Sequence, residues 1–202
     1  MPLYEIQAFL AQLYTSADLR ASFRRSPEIT LEKFGLTGAE RKNLQRLDLK
    51  MANCFADSLI TKRLKLVKSA IPATCILMRN ELRSIFTAFC EKHPLSQRLT
   101  GEEDGFDFLR FLNSSCHKIF KQIPYAKSIR TYDHTRLELL TTCRGQPPQV
   151  SHQLNLTQAD NWRGSQPVIT SYLDIKQFEY PVDRIIPQLI DDEIPELKPE
   201  ST

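Results

Sequence analysis

The chain has 202 residues, of which 41% are hydrophobic and 25% are charged, a composition typical of a folded domain that buries an apolar core. It lacks the run of about 18 apolar residues that a membrane span needs, and it lacks the basic start of a secretory signal. Residues 1–100 hold 16 Lys and Arg against 9 Asp and Glu, whereas residues 101–202 hold 11 against 15. We expect a cytoplasmic protein without a membrane partner, whose basic half faces either an acidic partner or solvent.

The first part of the chain is predicted to form three short helices. Apolar residues recur at helical spacing from about Leu3 to Tyr14. Ser16 is a typical N-cap for a second helix, which ends before Pro27 because proline disfavours helix at the residue that precedes it. Pro27 opens the third helix, and Gly35 follows its end as a glycine cap would.

The next helix is predicted to be the longest in the chain. It begins at the capping-box pattern of Thr37 and Glu40 and continues to Ile71, where Pro72 stops it. Because this helix is long for a compact domain, Ser58–Thr61 is a candidate position for a break. Its predicted buried face contains Leu44, Leu47, Met51, Phe55, Leu59, Leu66 and Val67.

Three further helical segments give a fold class that is mainly α. They cover about residues 73–93, Asp104–Phe120 and the segment from Pro124 to Cys143. Each segment has apolar side chains at helical spacing and is bounded by proline or by polar residues. Residues 1–144 are therefore predicted to form an N-terminal helical bundle.

A small C-terminal module is predicted beyond the turn-forming residues 145–149, GQPPQ. Residues 150–191 are predicted to contain a β-hairpin, whose second strand is residues 168–175, and a short helix interrupted by Pro187. Residues 192–202 form an acidic tail. We therefore expect a β-hairpin plus helix that recognises a peptide, joined to the helical bundle.

Motifs that would carry chemistry are sparse. The sequence holds no glycine-rich phosphate loop, no nucleophile elbow and no zinc-protease motif. Asp133, His134 and Glu138 are the candidate acid–base group of an enzyme, but Asp133 and Arg136 at i, i+3 are also typical of a structural ion pair. We expect no catalytic residue, no metal site and no cofactor in this chain. The spacing of the five cysteines is that of neither a disulfide framework nor a zinc site, and their predicted helical segments with mostly apolar neighbours indicate buried thiols; they are Cys54, Cys75, Cys90, Cys116 and Cys143.

Two groups of residues are candidate partner interfaces. The basic run from Lys62 to Lys68 covers more than one helical face, and Arg63 and Lys65 are predicted to contact an acidic protein partner. Trp162 and Arg163 are of residue types enriched at binding hot spots, although Trp162 could instead cap the small sheet. The alternative function is a small helical nucleic-acid-binding regulator that uses the same basic helix.

The second predicted strand is the candidate peptide-binding site. A two-stranded sheet leaves unpaired N–H and C=O groups along its edge, and an extended peptide adds there as a further strand. The alternative is that a helix or a second copy of the chain covers this edge. The predicted site residues are Val168, Ile169, Thr170, Ser171, Tyr172, Leu173, Asp174 and Ile175.

Three segments carry a resemblance to a known family. They are ADLRASFRRSPEITLEKFGLTGAE at residues 17–40, FADSLITKRL at residues 55–64 with a proline after it, and YLDIKQFEYPVDRIIPQL at residues 172–189. Together they resemble the partner proteins of multinuclear non-haem iron-dependent oxidative enzymes in peptide natural-product pathways. Within that family they are most similar to the MbnC-like, non-catalytic subunits of methanobactin biosynthesis.

The resemblance implies that this chain forms a heterodimer with an MbnB-like iron enzyme. Such complexes use dioxygen to convert cysteines of an MbnA-like precursor peptide into oxazolone and thioamide groups, which then bind copper. The iron is expected in the partner enzyme. The leader of the precursor peptide is expected to add as a strand at Val168–Ile175, and the resemblance assigns no catalytic residue to this chain.

Overall fold

The protein is mainly helical in the residues that its structure describes. The computed structural model describes residues 2–94, 100–115, 120–143, 175–193 and 195. Those residues contain helices and no strand, which confirms a mainly α fold, while the predicted hairpin lies outside them except for Ile175, the last residue of its second strand. Among the same residues, no helix has the length and the apolar composition that crossing a membrane requires.

Three short helices form the N-terminal part, as predicted; they are α1 (Pro2–Thr15), α2 (Ala17–Arg25) and α3 (Pro27–Glu32). The Ser16 hydroxyl accepts a hydrogen bond from the backbone N–H of Leu19 at 3.1 Å, which confirms Ser16 as the N-cap of α2. Pro27 is the first residue of α3, where a missing N–H removes no helical hydrogen bond. Gly35 lies past the end of α3 as predicted, two residues after the C-cap Lys33, and it does not adopt a positive φ.

Two helices occupy the region predicted as one long helix; they are α4 (Gly38–Leu44) and α5 (Leu49–Ala70). Thr37 and Glu40 form the predicted capping box at the start of α4. The break predicted at Ser58–Thr61 is wrong, because α5 is continuous there and the interruption lies just before α5. The carboxylate of Asp48 accepts a hydrogen bond from the N–H of Lys50 at 2.8 Å and so starts a new helix.

The later helices are α6 (Pro72–Leu77), α7 (Leu82–Lys92), α8 (Gly101–Ser115), α9 (Ala126–Cys143) and α10 (Val182–Ile190). The single helix predicted after Pro72 is in fact two. The carbonyl of Met78 accepts a hydrogen bond from the N–H of Glu81 at 2.8 Å, in a turn that separates α6 from α7. Helix α8 begins at a second capping box, in which Thr100 and Glu103 bind each other's backbone N–H.

The described residues form two compact units, of which the first draws on residues up to Ser69 and on Met78–Phe111. One of its cores packs α1 to α3 against the start of α5, with Phe9 and Leu13 completely buried. A second consists of aromatic rings whose centroids lie 5.0 to 6.3 Å apart. Those rings, from α7 and α8, belong to Phe86, Phe89, Phe108 and Phe111.

The second unit draws on Ala70–Leu77 and on residues from Leu112 onward. Helix α10 packs against α6 and α9 in one apolar core. The last helix thus shares a core with helices that precede the predicted boundary at residues 145–149. The buried members of this core are Ala73, Tyr125, Ile129, Tyr180, Val182, Ile185 and Leu189.

Helix α10 continues through Pro187, so the predicted interruption there is wrong. Proline removes one helical hydrogen bond because it has no N–H. The carbonyl of Pro187 still accepts a hydrogen bond from the N–H of Asp191 at 3.0 Å, which closes the last turn of α10. Ile185 and Leu189 are buried on either side of Pro187, so the packing of this face holds the helix together where one backbone bond is missing.

Candidate functional site

The predicted peptide-binding strand meets the described structure only at its last residue. Residues 168–174 lie outside the described segments, and Ile175 lies in neither a helix nor a strand, with 85% of its surface exposed. Three residues further on, Phe178 packs against the core of the second unit, and Tyr180 is buried in it. The end of the predicted strand is therefore only three residues away from a side chain, Phe178, that packs against this core.

The four predicted partner-interface residues differ in burial, and two of them lie outside the described residues. Trp162 and Arg163 lie outside the described residues. Lys65 is exposed on α5, as an interface lysine has to be. Arg63 is buried, so the prediction that it contacts a partner is corrected: its side chain faces the interior of the first unit.

Arg63 forms a buried ion pair with Asp104 of α8. Its Nε donates to Asp104 Oδ2 at 2.7 Å and its Nη2 donates to Oδ1 at 2.6 Å, while Nη1 donates to the carbonyl of His93 at 2.8 Å. The guanidinium also lies 4.8 Å from the centre of the Phe89 ring. Burial lowers the pKa of Arg63, but its interactions with Asp104 and with Cys90 together outweigh burial and raise the pKa, so the side chain stays charged.

Helix α5 has an apolar stripe that faces solvent. Met51, Phe55 and Leu66 expose 66%, 49% and 54% of their surface. The prediction that they form the buried face is therefore wrong, and the small side chains of Ala52 and Ala56 are buried instead. Because small residues let α5 approach its neighbours closely, the larger side chains remain outside.

A cleft of about 120 Å³ lies beside this stripe, between α5, α1 and α7. Its wall is mainly apolar and includes Tyr14, Ala56, Leu59, Ile60 and Cys90. The ring of Tyr14 also contacts the exposed Phe55 ring, with 4.5 Å between centroids, so the cleft opens next to the stripe. Burial raises the pKa of the Cys90 thiol to about 11, which keeps it protonated and unreactive near neutral pH.

Asp133, one of the candidate acid–base residues, and its neighbour Arg136 connect α9 to other helices. Asp133 is buried, and its Oδ2 accepts a hydrogen bond from the backbone N–H of Thr74 at 2.6 Å, within the first turn of α6. Arg136 donates from Nη1 to the carbonyl of Ala70 at 2.7 Å, at the end of α5. The two side chains thus have main-chain partners in place of the predicted ion pair, and each charge matches the helix end that it contacts.

Burial raises the pKa of the Asp133 carboxyl above its ordinary value of 3.8, although the hydrogen bond from Thr74 and the charge of Arg136 act in the opposite direction. Between that value and the raised pKa, the folded chain keeps a proton that the unfolded chain has released. Stability consequently falls as the pH rises through this window. We expect Asp133→Asn, which keeps an oxygen acceptor, to gain stability over the natural chain as the pH rises.

Urea unfolding from pH 3.5 to 7 compares the two chains, with Asp107→Asn on the exposed side of α8 as the control for loss of a carboxylate. The prediction is contradicted if the free energy of unfolding of Asp133→Asn, minus that of the natural chain, does not increase as the pH rises.

The other candidate chemical groups are dispersed. His134 Nδ1 lies 3.3 Å from Glu138 Oε2 on the exposed side of α9, apart from the buried Asp133. Cys75 and Cys90 are buried as predicted, whereas Cys54 is exposed; Cys116 and Cys143 have no described side chain. Within the described segments, no group of three His, Cys, Asp or Glu side chains is arranged to hold a metal ion.

Two features were missed in the sequence although each had a signal. Asp48 precedes the apolar pattern of α5 as an N-cap residue does, and Thr100 with Glu103 has the spacing of a capping box. The sequence held no signal for the pairing of Arg63 with Asp104, because 41 residues separate them.

Comparisons with known proteins find no matching family model, no similar curated protein and no similar solved structure. The function therefore has to be inferred from the residues of this chain and from their geometry.

Proposed function

We propose that this protein is the non-catalytic accessory subunit of a heterodimeric iron-dependent oxidative enzyme. It binds an MbnB-like iron enzyme and recruits the leader of an MbnA-like precursor peptide. The partner, which holds the iron, then converts cysteines of that peptide into oxazolone and thioamide groups of a copper chelator. The starting point of the proposal is the resemblance carried by residues 17–40, 55–64 and 172–189.

One structural observation supports the leader-binding part of the proposal. The chain leaves the predicted strand at Ile175 and enters the core of the second unit at Phe178 and Tyr180. Tyr125 meets the Tyr180 ring edge-on, with 6.4 Å between centroids, and the adjoining helix α10 buries Val182, Ile185 and Leu189. A strand attached this closely to a packed helix loses less freedom when a peptide pairs with it than a strand on a long linker would.

In this proposal, recognition uses backbone groups more than side chains. The leader lies along residues 168–175 as an added strand, and its N–H and C=O groups pair with those of the edge. Side chains that point to one face of the sheet then select the leader's alternate residues. The chain's contribution to the reaction is to raise the local concentration of the precursor cysteines near the partner's iron.

Co-expression of the tagged chain with the iron enzyme and the precursor peptide encoded beside it tests both parts together. We expect the enzyme and the precursor to co-purify with the natural chain, and iron to be found in the complex but not in the isolated chain. Leu173→Pro removes a backbone donor from the predicted strand, so it should retain the enzyme and lose the precursor. Leader binding is measured separately by fluorescence anisotropy.

If Leu173→Pro binds the leader peptide with the same affinity as the natural chain, the edge-strand site is rejected. A chain that purifies alone, or that binds iron by itself, would reject the accessory-subunit proposal. Circular dichroism of Leu173→Pro provides the control for folding, since the helices of both units lie outside the substituted segment.

A further inference from the structure

The exposed side of α5 combines apolar and basic side chains in one continuous stripe. Met51, Phe55, Lys62 and Leu66 are separated by four, seven and four residues, which places them along one face of a helix with about 3.6 residues per turn. Ala52, Ala56 and Val67 occupy the buried side of the same helix. We call the exposed residues Met51, Phe55, Lys62, Lys65 and Leu66, together with the half-buried Leu59 on the same face, the α5 stripe.

The apolar members of the α5 stripe are large enough to favour a partner. Phe55 keeps about half of its surface exposed although it contacts Tyr14, and both Met51 and Leu66 expose more than half. Large apolar side chains that line up on a polar surface mark interaction sites more often than the same residues scattered singly. Methionine and phenylalanine are also enriched at protein interfaces.

The charge of this side of α5 is positive, because Lys62 and Lys65 are exposed within the α5 stripe. Lys50 and Lys68 are exposed on other sides of the same helix. The one carboxylate of α5, Asp57, lies 3.4 Å from the guanidinium of Arg83, which compensates its charge. A partner that carries carboxylates beside an apolar face therefore gains electrostatic attraction as well as apolar contact.

The neighbouring cleft supplies a place for one anchoring side chain. A cavity of about 150 Å³ holds benzene, so the cleft's volume of about 120 Å³ suits one aliphatic or small aromatic side chain. Leu59 belongs both to the α5 stripe and to the cleft wall. Arg63 also lines the cleft, but its polar atoms are bound by Asp104 and by the carbonyl of His93, so it does not attract an anionic occupant strongly.

We infer that the α5 stripe is a docking surface for an acidic amphipathic helix of a partner protein, one of whose apolar side chains enters the adjacent cleft. From residue 51 to residue 66 the stripe is about 22 Å long at 1.5 Å per residue, a length that about four turns of a partner helix would match. The inference deepens the proposed function, on which it rests for the identity of the partner: the acidic helix belongs to the iron enzyme.

Three fluorescent synthetic peptides of about 18 residues test the chemistry of the docking surface without the enzyme. The first has leucines at helical spacing flanked by glutamates, the second replaces the glutamates with lysines, and the third scrambles the first. We expect the full chain to bind the acidic amphipathic peptide at least about tenfold more tightly than either of the others. Equal affinity for the acidic and basic peptides, or binding of none of them, would overturn the inference.

Single substitutions then locate the binding site. Phe55→Ala and Lys65→Glu should each lower the affinity of the chain for the acidic peptide by about fivefold or more, because hot-spot residues carry most of the affinity of an interface. The matched controls are Ile29→Ala, an exposed apolar residue of α3, and Lys127→Glu, an exposed lysine of α9. These should change the affinity by less than about twofold. Controls that weaken binding as much as the α5 variants would overturn the proposed location.

The inference would be overturned if the α5 stripe binds either of two other partners, a second copy of the chain or nucleic acid. A dimer in sedimentation that Phe55→Ala dissociates would assign the surface to a second copy of the chain. Binding of a DNA duplex that Lys65→Glu abolishes and Phe55→Ala leaves unchanged would assign it to nucleic acid, because phosphate contacts depend on charge and not on the apolar ring.

Co-expression with the iron enzyme separates failure of this inference from failure of the proposed function. Loss of the enzyme from the Phe55→Ala and Lys65→Glu chains, with retention by both control chains, supports the inference. Retention of the enzyme by all variants would leave the accessory function standing and overturn α5 as its docking surface. A chain that binds the acidic peptide but never the enzyme would overturn the assigned partner and the proposed function together.

Discussion

Arg63→Met is expected to lower the free energy of unfolding of the first unit by about 3–5 kcal/mol, as the removal of one partner from a buried ion pair does. The substitution leaves the carboxylate of Asp104 buried without its bidentate partner, and it leaves the carbonyl of His93 without its donor. It also removes the guanidinium that packs on Phe89. Urea unfolding followed by circular dichroism measures the change.

Two further chains make this prediction specific to burial. Arg83→Met removes a partner of Asp57 whose ion pair is largely exposed, so it should cost no more than about 1 kcal/mol. Arg63→Met combined with Asp104→Leu should recover much of the lost stability, because apolar residues replace both charges. The prediction is wrong if Arg63→Met costs no more than Arg83→Met.

Ile185→Ala is expected to destabilise the second unit by about 2–5 kcal/mol, the range found when a buried isoleucine or leucine is cut back to alanine. Ile185 is completely buried where α10 packs against α6 and α9. The change therefore leaves a cavity in the core that holds the C-terminal helix in place. Urea unfolding gives the total loss, and hydrogen exchange shows whether α10 is the first helix to open.

Ile190→Ala is the matched control, since it is the same substitution in the same helix at a residue that is 61% exposed. It should change the free energy of unfolding by less than about 0.5 kcal/mol. Similar losses for the two variants would mean that α10 does not pack through the face that contains Ile185. Leader binding should weaken in Ile185→Ala if the packed helix restrains the predicted strand.

The local signals in the sequence predicted helices and their starts well. Ser16 and the pair of Thr37 and Glu40 act as caps because their hydrogen bonds connect residues within one turn, which a short pattern contains in full. The prediction of the buried face of α5 was wrong for a different reason. A stripe of large side chains at Met51 and Phe55 and a stripe of alanines have the same period, and the neighbouring helices, which are far apart in sequence, decide which stripe is buried.

The candidate site was predictable only where it depends on exposed charge. Lys65 lies on the surface as a lysine usually does, whereas Arg63 in the same basic run is buried by a partner on α8. The same limit applies to Asp133, whose partner Thr74 lies 59 residues earlier. Long-range pairs of this kind depend on the packed fold, and spacing within one helix carries no information about them.

The contacts that α9 makes with the end of α5 and the start of α6 have a consequence for the order of events during synthesis. Asp133 and Arg136 reach back 59 and 66 residues to Thr74 and Ala70, and α10 adds its core residues later still. The junction between α5 and α6 therefore leaves the ribosome long before the side chains that fix it. The first unit draws on no residue beyond 111, so we expect it to fold before the second unit, which needs α10 to complete its core.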